Sequence, residues 1–200
     1  MSNPDAEAIQ AVLQGDADRF AELVDRYQTQ ALRIAFSFLG NYDDAKDVSQ
    51  EAFVNAFRSL RRFRGKARFS TWLYRIIINE CKDAQRRRFH QPVIAARIDS
   101  AEAERSEDEL TLFIDVPDAA ASPSDHAQNL ELSRRLSRAI RSLPMTQQTV
   151  FLLHHVNGSS LEEVAEIMDC RVGTVKSHLF RATKRLKIVL SPMLKQEGLF

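Results

Sequence analysis

The stretch Ser160-Leu161-Glu162-Glu163-Val164-Ala165-Glu166-Ile167-Met168-Asp169-Cys170-Arg171-Val172-Gly173-Thr174-Val175-Lys176-Ser177-His178-Leu179-Phe180-Arg181-Ala182 decides how the chain is read. Ser160 followed by Glu163 is a capping box: the hydroxyl takes a backbone N–H and the carboxylate reaches back to the cap's own N–H. Leu161, Val164, Ala165 and Met168 supply one inner face of a short helix. Asp169-Cys170-Arg171 reads as a tight turn, and a long helix is expected from about Val172 to Leu190. On a wheel of about 100° per residue, Leu179, Ala182, Leu186 and Val189 fall within roughly 40° of Val175, and this stripe is expected to be core. Gly173, Lys176, Ser177, Arg181, Lys184 and Lys187 lie opposite, and Phe180 points roughly 140° from the core direction.

A short helix, a three-residue turn and a helix with a small, basic outer face make a helix-turn-helix at about 160–180. The second helix of that motif enters a major groove with its first turns at base edges. Arg171, Lys176 and Arg181 then reach phosphates or guanine edges, Thr174 and Ser177 hydrogen-bond, and Phe180 meets a thymine methyl. The competing reading packs Phe180 on a neighbouring helix and leaves the cations to solubility.

Upstream, Leu130, Leu132, Leu136, Ala139, Ile140 and Leu143 outline one helix. Pro144 opens another, carrying Val150, Phe151, Leu153 and Val156 and ending at Asn157-Gly158. Before this second unit lies a stretch holding Pro92, Pro117 and Pro123, half of the six prolines, and rich in Ala, Ser, Asp and Glu. Its length, roughly 40 residues, is far beyond an ordinary connection and marks a long flexible linker, 92–128.

Before the linker, residues 1–91 read as a bundle of about four helices. Gly15 and Gly40 end the first two. Phe20, Leu23, Val24, Tyr27, Leu32, Ala35 and Leu39 recur at helical steps, as do Ala45, Val48, Ala52, Phe53, Ala56, Phe57 and Leu60. A loop follows Gly65 through Phe69, and Ser70 is a candidate N-cap for a helix bearing Trp72, Leu73, Ile76, Ile77, Cys81 and Ala84. The fold class is therefore all-α: an N-terminal helix bundle, the linker, and a C-terminal helix-turn-helix domain at 129–200.

The chain has 200 residues and a net charge of +1, which hides strong segregation. The balance is −5 over residues 1–60, +8 over 61–90, −8 over 91–131 and +6 over 132–200. Two basic blocks flank an acidic one, the pattern that phosphate backbones attract. Aliphatic runs such as Ile76-Ile77-Ile78 are far below the ~18 residues of a membrane span. The N-terminus lacks a signal-peptide pattern, and two cysteines make no disulfide framework. A cytoplasmic protein is expected. No phosphate-binding glycine loop, nucleophile elbow or paired zinc-spaced histidines appear, so neither an enzyme nor a cofactor or metal is expected. Cys81 reads as core and Cys170 as a turn residue.

At this point the chain resembles a family. Glu162 to Met168 with Val172 to Ala182 is similar to the C-terminal DNA-binding domain of bacterial extracytoplasmic-function (ECF) sigma factors. Asp43 to Phe53, Phe63-Arg64-Gly65 and Thr71 to Asn79 resemble their second conserved region. The likeness is greatest to the subgroup that includes the enterobacterial envelope-stress sigma factor. The resemblance implies binding to core RNA polymerase, through Asp44, Asp47, Gln50 and Glu51, and transcription from chosen promoters. It implies reading of a −10 element as melted strand by Lys66, Arg68, Phe69, Ser70, Thr71, Trp72 and Asn79. Lys82, Arg86, Arg87 and Arg88 would hold phosphates. It implies reading of a −35 duplex by Arg171, Thr174, Lys176, Ser177, His178, Phe180, Arg181 and Lys184, and control by an anti-sigma factor. His178 stands where relatives often carry Arg, and an imidazole is only partly charged near neutral pH. In this family the acidic linker enters the polymerase channel, where its charge would mimic a nucleic acid. A stand-alone helix-turn-helix regulator remains the alternative; it leaves the acidic helix and aromatic basic loop of the first unit without a task.

Overall fold

Helix ends follow from local chemistry in both halves of the chain. The computed structural model describes residues 4–90 and 134–196, with side chains over 4–87 and 134–191. The expected linker, 92–128, and the expected start of the second domain at 129 lie outside the described residues. Within them there are helices and no strand.

The first unit holds α1 (Pro4–Leu13), α2 (Phe20–Leu39), α3 (Tyr42–Ser59) and α4 (Phe69–His90). Gly40 closes α2 in the left-handed conformation, φ 70°, with its N–H on the Phe36 carbonyl, the arrangement that glycine adopts without a Cβ penalty. One residue later Asn41 caps α3, its side-chain oxygen accepting from the Asp44 N–H at 2.7 Å. α1 is tied down by polar contacts: the Tyr27 hydroxyl donates to Asp5 at 2.6 Å, and Arg26 pairs with the same carboxylate. The core is aliphatic and aromatic, with Leu23, Phe38, Leu60, Leu73 and Ile77 fully buried. Asn55 donates to Glu80 at 2.9 Å and Gln85 to the Phe38 carbonyl at 3.0 Å, stitching α4 to α3 and α2.

The second unit holds α5 (134–141), α6 (Met145–Phe151), a π-turn (Leu152–Val156), α7 (Leu161–Met168) and α8 (Val172–Gln196). The periodicity predicts one continuous helix to Val156, but its end widens, with Asn157 N–H bonding the Leu152 carbonyl at 2.9 Å. Leu152 and Leu153, at the start of this wider turn, are both buried. The α7 capping box forms in full: Glu163 N–H to Ser160 Oγ at 3.1 Å and Ser160 N–H to Glu163 Oε2 at 2.9 Å. Asp169 then turns left-handed, φ 51°, a conformation that short polar side chains tolerate.

Four positions of the expected apolar patterns are exposed instead, Leu136 and Val156 among them. Val189 is 49 % exposed, beside a groove lined by Arg135, Arg138, Ala139 and Ser142. Phe57 is 43 % exposed, its ring edge-on to Phe20 at 5.1 Å on the rim of the bundle. The expected loop through Phe69 also ends earlier: Phe69 is already the first residue of α4.

Candidate nucleic-acid interface

α8 is fixed by its inner face. Val175, Ala182 and Leu186 are buried, with Leu179 half-buried beside them. The opposite face is open: Arg171, Thr174, Lys176, Ser177, Arg181 and Lys184 are all exposed. Phe180 stands among them with 70 % of its surface exposed, the direction that the wheel assigns and not a packing position. A large ring left in water among cations is a contact surface in waiting. Ser177 and Thr183 donate to the carbonyls four residues back, at 3.0 and 2.9 Å, so each hydroxyl's proton is engaged within the helix. His178 is half-buried, and its Nδ1 is sequestered with no partner among the described residues.

The other basic surface surrounds the start of α4. The aromatic residues here pack on one another: Phe63 to Trp72 at 5.2 Å, Phe69 to Trp72 at 5.7 Å, and Tyr27 to Phe69 at 5.6 Å between ring centroids. Phe69 and Thr71 are buried in this arrangement, and Ser70 and Trp72 are half-buried. Phe69 is therefore a wall of the cluster, and Trp72 offers part of its face. Lys66, Arg68 and Asn79 are exposed, and Arg86 and Arg87 extend the positive surface along α4. The Arg86–Asp83 pair at 3.0 Å is exposed on both sides and holds Arg86 only weakly. Lys82 is half-buried, and burial, with the Arg86 charge, pulls its ammonium below the usual lysine range. The side chain of Arg88 lies outside the described residues.

A third surface is one stripe of α3. Asp47, Gln50 and Glu51 are exposed, with Asp44 half-buried beside them. At the same helical spacing the stripe continues into Val54, 40 % exposed, and Phe57. Sequence reading missed these two because Phe57 fits the core periodicity; the signal was that Asp43, Asp47, Gln50, Val54 and Phe57 share the face opposite Ala45, Val48, Ala52 and Ala56. Among the described residues no group of three or more His, Cys, Asp or Glu is placed to hold a metal ion. No helix among them is long and apolar enough to cross a membrane. Cys81 is buried, and that burial pushes its thiol up to about 12. Cys170 is half-buried in the turn before α8.

Comparison with known proteins places this geometry. The Sigma-70 region 2 family model matches residues 23–89, and the Sigma-70 region 4 model matches residues 133–186. The ECF RNA polymerase sigma-E factor of Haemophilus influenzae is 36 % identical over 193 residues, covering 95 % of this chain and 97 % of that protein. The sigma-E factor of Escherichia coli K12 is 34 % identical, covering 96 % and 97 %. SigW of Bacillus subtilis is also 34 % identical, covering 90 % and 92 %. The fold matches CnrH, solved in complex with the cytosolic domain of CnrY, at a TM-score of 0.66 and 22 % identity over 95 % of this chain and 99 % of that one. It also matches the sigma factor RpoE of Bartonella quintana, solved with the anti-sigma factor NepR, at 0.58 and 23 % over 86 % and 96 %. With both conserved regions in order and relatives matched along nearly their whole length, the chain belongs to the ECF RNA polymerase sigma factors of the sigma-70 family.

Proposed function

We propose that this sigma factor recruits core RNA polymerase and grips a promoter at two places with two different chemistries. The observation that carries the reading is the outer face of α8 with the residue before it, where Phe180 and six cationic or hydroxyl residues, Arg171 to Lys184, stand open on a helix-turn-helix. Arg171, Thr174, Lys176, Ser177, His178, Phe180, Arg181 and Lys184 read the −35 duplex, since a major groove admits one such helix and offers edges, methyls and phosphates to it.

The −10 strand falls to the first unit. Lys66, Arg68, Ser70, Trp72 and Asn79 meet its bases, with Phe69 and Thr71 shaping the pocket from behind. Lys82, Arg86, Arg87 and Arg88 neutralise its phosphates. The α3 stripe of Asp44, Asp47, Gln50 and Glu51, extended by Val54 and Phe57, is the docking face for polymerase. An acidic stripe that ends in exposed apolar side chains offers a partner both charge and apolar contact.

The working units are residues 1–91 and 129–200, tethered through the acidic segment 92–128. Nucleotide chemistry belongs to the polymerase, so this chain is not itself an enzyme, and it works in the cytoplasm, where promoter and polymerase meet. Its restraint by an anti-sigma factor is supported by RpoE of Bartonella quintana, solved with NepR.

The test is co-elution with purified core polymerase on a sizing column, followed by transcription from fragments of the source genome. Co-elution and a restricted set of start sites are expected. Tight duplex binding by the free chain, with no effect on polymerase, would favour a stand-alone regulator.

A further inference from the structure

One side chain of α2 joins the N-terminal helix to the aromatic cluster at the start of α4. The Tyr27 hydroxyl donates to Asp5 Oδ2 of α1 at 2.6 Å, while its ring lies tilted against Phe69 at 5.6 Å between centroids. Phe69 is the first residue of α4 and is buried. It packs on Trp72 at 5.7 Å and meets Phe63 edge-on at 5.8 Å. The place of the Phe69 ring therefore sets where the basic stretch 66–68 gives way to helix, and which part of the Trp72 face is offered. Asp5 stands at the far end of this series of contacts. Its carboxylate takes the phenol on Oδ2 and the Arg26 guanidinium on Oδ1, and its side chain is only 14 % exposed.

The phenol depends on that acceptor. Tyr27 is half-buried. Burial, the hydrogen bond to Asp5 and the Asp5 charge push its hydroxyl above the ordinary tyrosine range, so it stays a donor throughout the working pH range. A donor shielded from water is costly to leave unpaired. The oxygen is rigidly attached to the ring, so the hydroxyl reaches water only if the ring moves off Phe69.

We propose that Asp5 is a positioning residue for strand reading: from α1, and without touching nucleic acid, it fixes Tyr27, and through Tyr27 the Phe69–Trp72 wall against which the melted strand is held. This rests on the strand-reading role proposed above for that wall. Of the ten residues of α1 only Ala8 and Ile9 are buried, so its polar contacts decide how firmly it sits. The bond to the phenol is the one that matters for the wall. Arg26 is exposed, and ion pairs of exposed cations contribute little. What Tyr27 requires is an acceptor oxygen, which an amide also supplies.

The experiment uses the full chain, alone and bound to core polymerase on one of its own promoters. Trp72 is the sole tryptophan, so acrylamide quenching of its fluorescence in the free chain reads the wall directly. Permanganate reactivity of unpaired thymines near the start site reads strand capture, and upstream protection reads the other unit. Asp5→Ala is expected to raise Trp72 quenching and to lower thymine reactivity about threefold or more, the scale of one lost hydrogen bond, with upstream protection and far-ultraviolet dichroism at parental values. Asp5→Asn keeps an acceptor and should match the parent in both signals. Tyr27→Phe removes the donor, so adding Asp5→Ala to it should change neither signal further. Parental values for Asp5→Ala overturn the proposal. A further loss in the double variant overturns the route through Tyr27, and an Asp5→Asn chain as impaired as Asp5→Ala overturns the role of the acceptor. Should Asp5→Ala lose its helical dichroism, Tyr27→Phe carries the test: raised quenching with lowered reactivity supports the relay, and parental values for both overturn it. Raised quenching with unchanged reactivity means that the wall moves and the strand does not depend on it, so the strand-reading role falls and the proposal with it. Unchanged quenching, with reactivity lost in Trp72→Ala, overturns the relay and leaves the strand-reading role standing.

Discussion

The two proposed nucleic-acid surfaces of this chain are built on opposite plans. In the C-terminal unit three buried side chains, Val175, Ala182 and Leu186, hold one helix, and the proposed reading face stands in water apart from the half-buried His178. In the N-terminal unit the proposed reading surface is part of the packing: Phe69 and Thr71 are buried, Trp72 packs on Phe63 and Phe69, and Lys66, Arg68, Arg86, Arg87 and Asn79 are the exposed members. The difference follows from the substrates. A duplex shows edges and phosphates along a groove, so a presented helix suffices. An unpaired base must be held by its face and its edge, which requires walls, and walls must be supported from behind.

The contrast breaks first in the cores. Phe38 is fully buried in the first unit; Phe38→Ala is expected to cost about 3–5 kcal/mol in urea unfolding and to loosen the aromatic wall with it. A smaller loss is expected in the second unit, where short helices depend on their ends. Ser160→Ala removes the cap seen at 3.1 Å from Glu163 N–H and should cost about 1 kcal/mol, read as a lower thermal midpoint of the C-terminal unit. Smaller still is Phe180→Ala: with the ring 70 % exposed, the unfolding midpoint should move by no more than about 0.5 kcal/mol, while duplex binding weakens several-fold. A stability loss as large as that of Phe38→Ala would mean that the ring is packed.

The two thiols sharpen the same contrast without a mutation. At pH 8 a disulfide reagent should label Cys170 and spare Cys81, which is buried and stays protonated to about pH 12; urea should expose both. In the unfolded chain that thiol ionises from about pH 8.5. Unfolding therefore releases a proton above that pH, and the stability of the first unit should fall as pH rises past it.

The helix-turn-helix was legible in residues because its signals are local. The Ser160–Glu163 box, the turn at Asp169 and the outward direction of Phe180 all follow from spacing along one stretch. Gly40 as a helix stop was legible for the same reason. Val189 and Phe57 misled the periodicity, since a wheel shows which face a residue shares and not whether anything lies beneath that end of the helix. The π-turn at Leu152–Val156 and the Tyr27 bond to Asp5 were invisible, because each depends on packing between segments far apart in sequence.

The division of labour between the units is tested most directly by footprinting polymerase bound to one of its own promoters with two variants side by side. Arg181→Ala should lose upstream protection, weakening binding by about 1–3 kcal/mol, and Asn79→Ala should keep that protection while permanganate reactivity of unpaired thymines near the start site falls. Loss of both signals in both variants, or of neither, would contradict a chain that reads duplex with one unit and melted strand with the other.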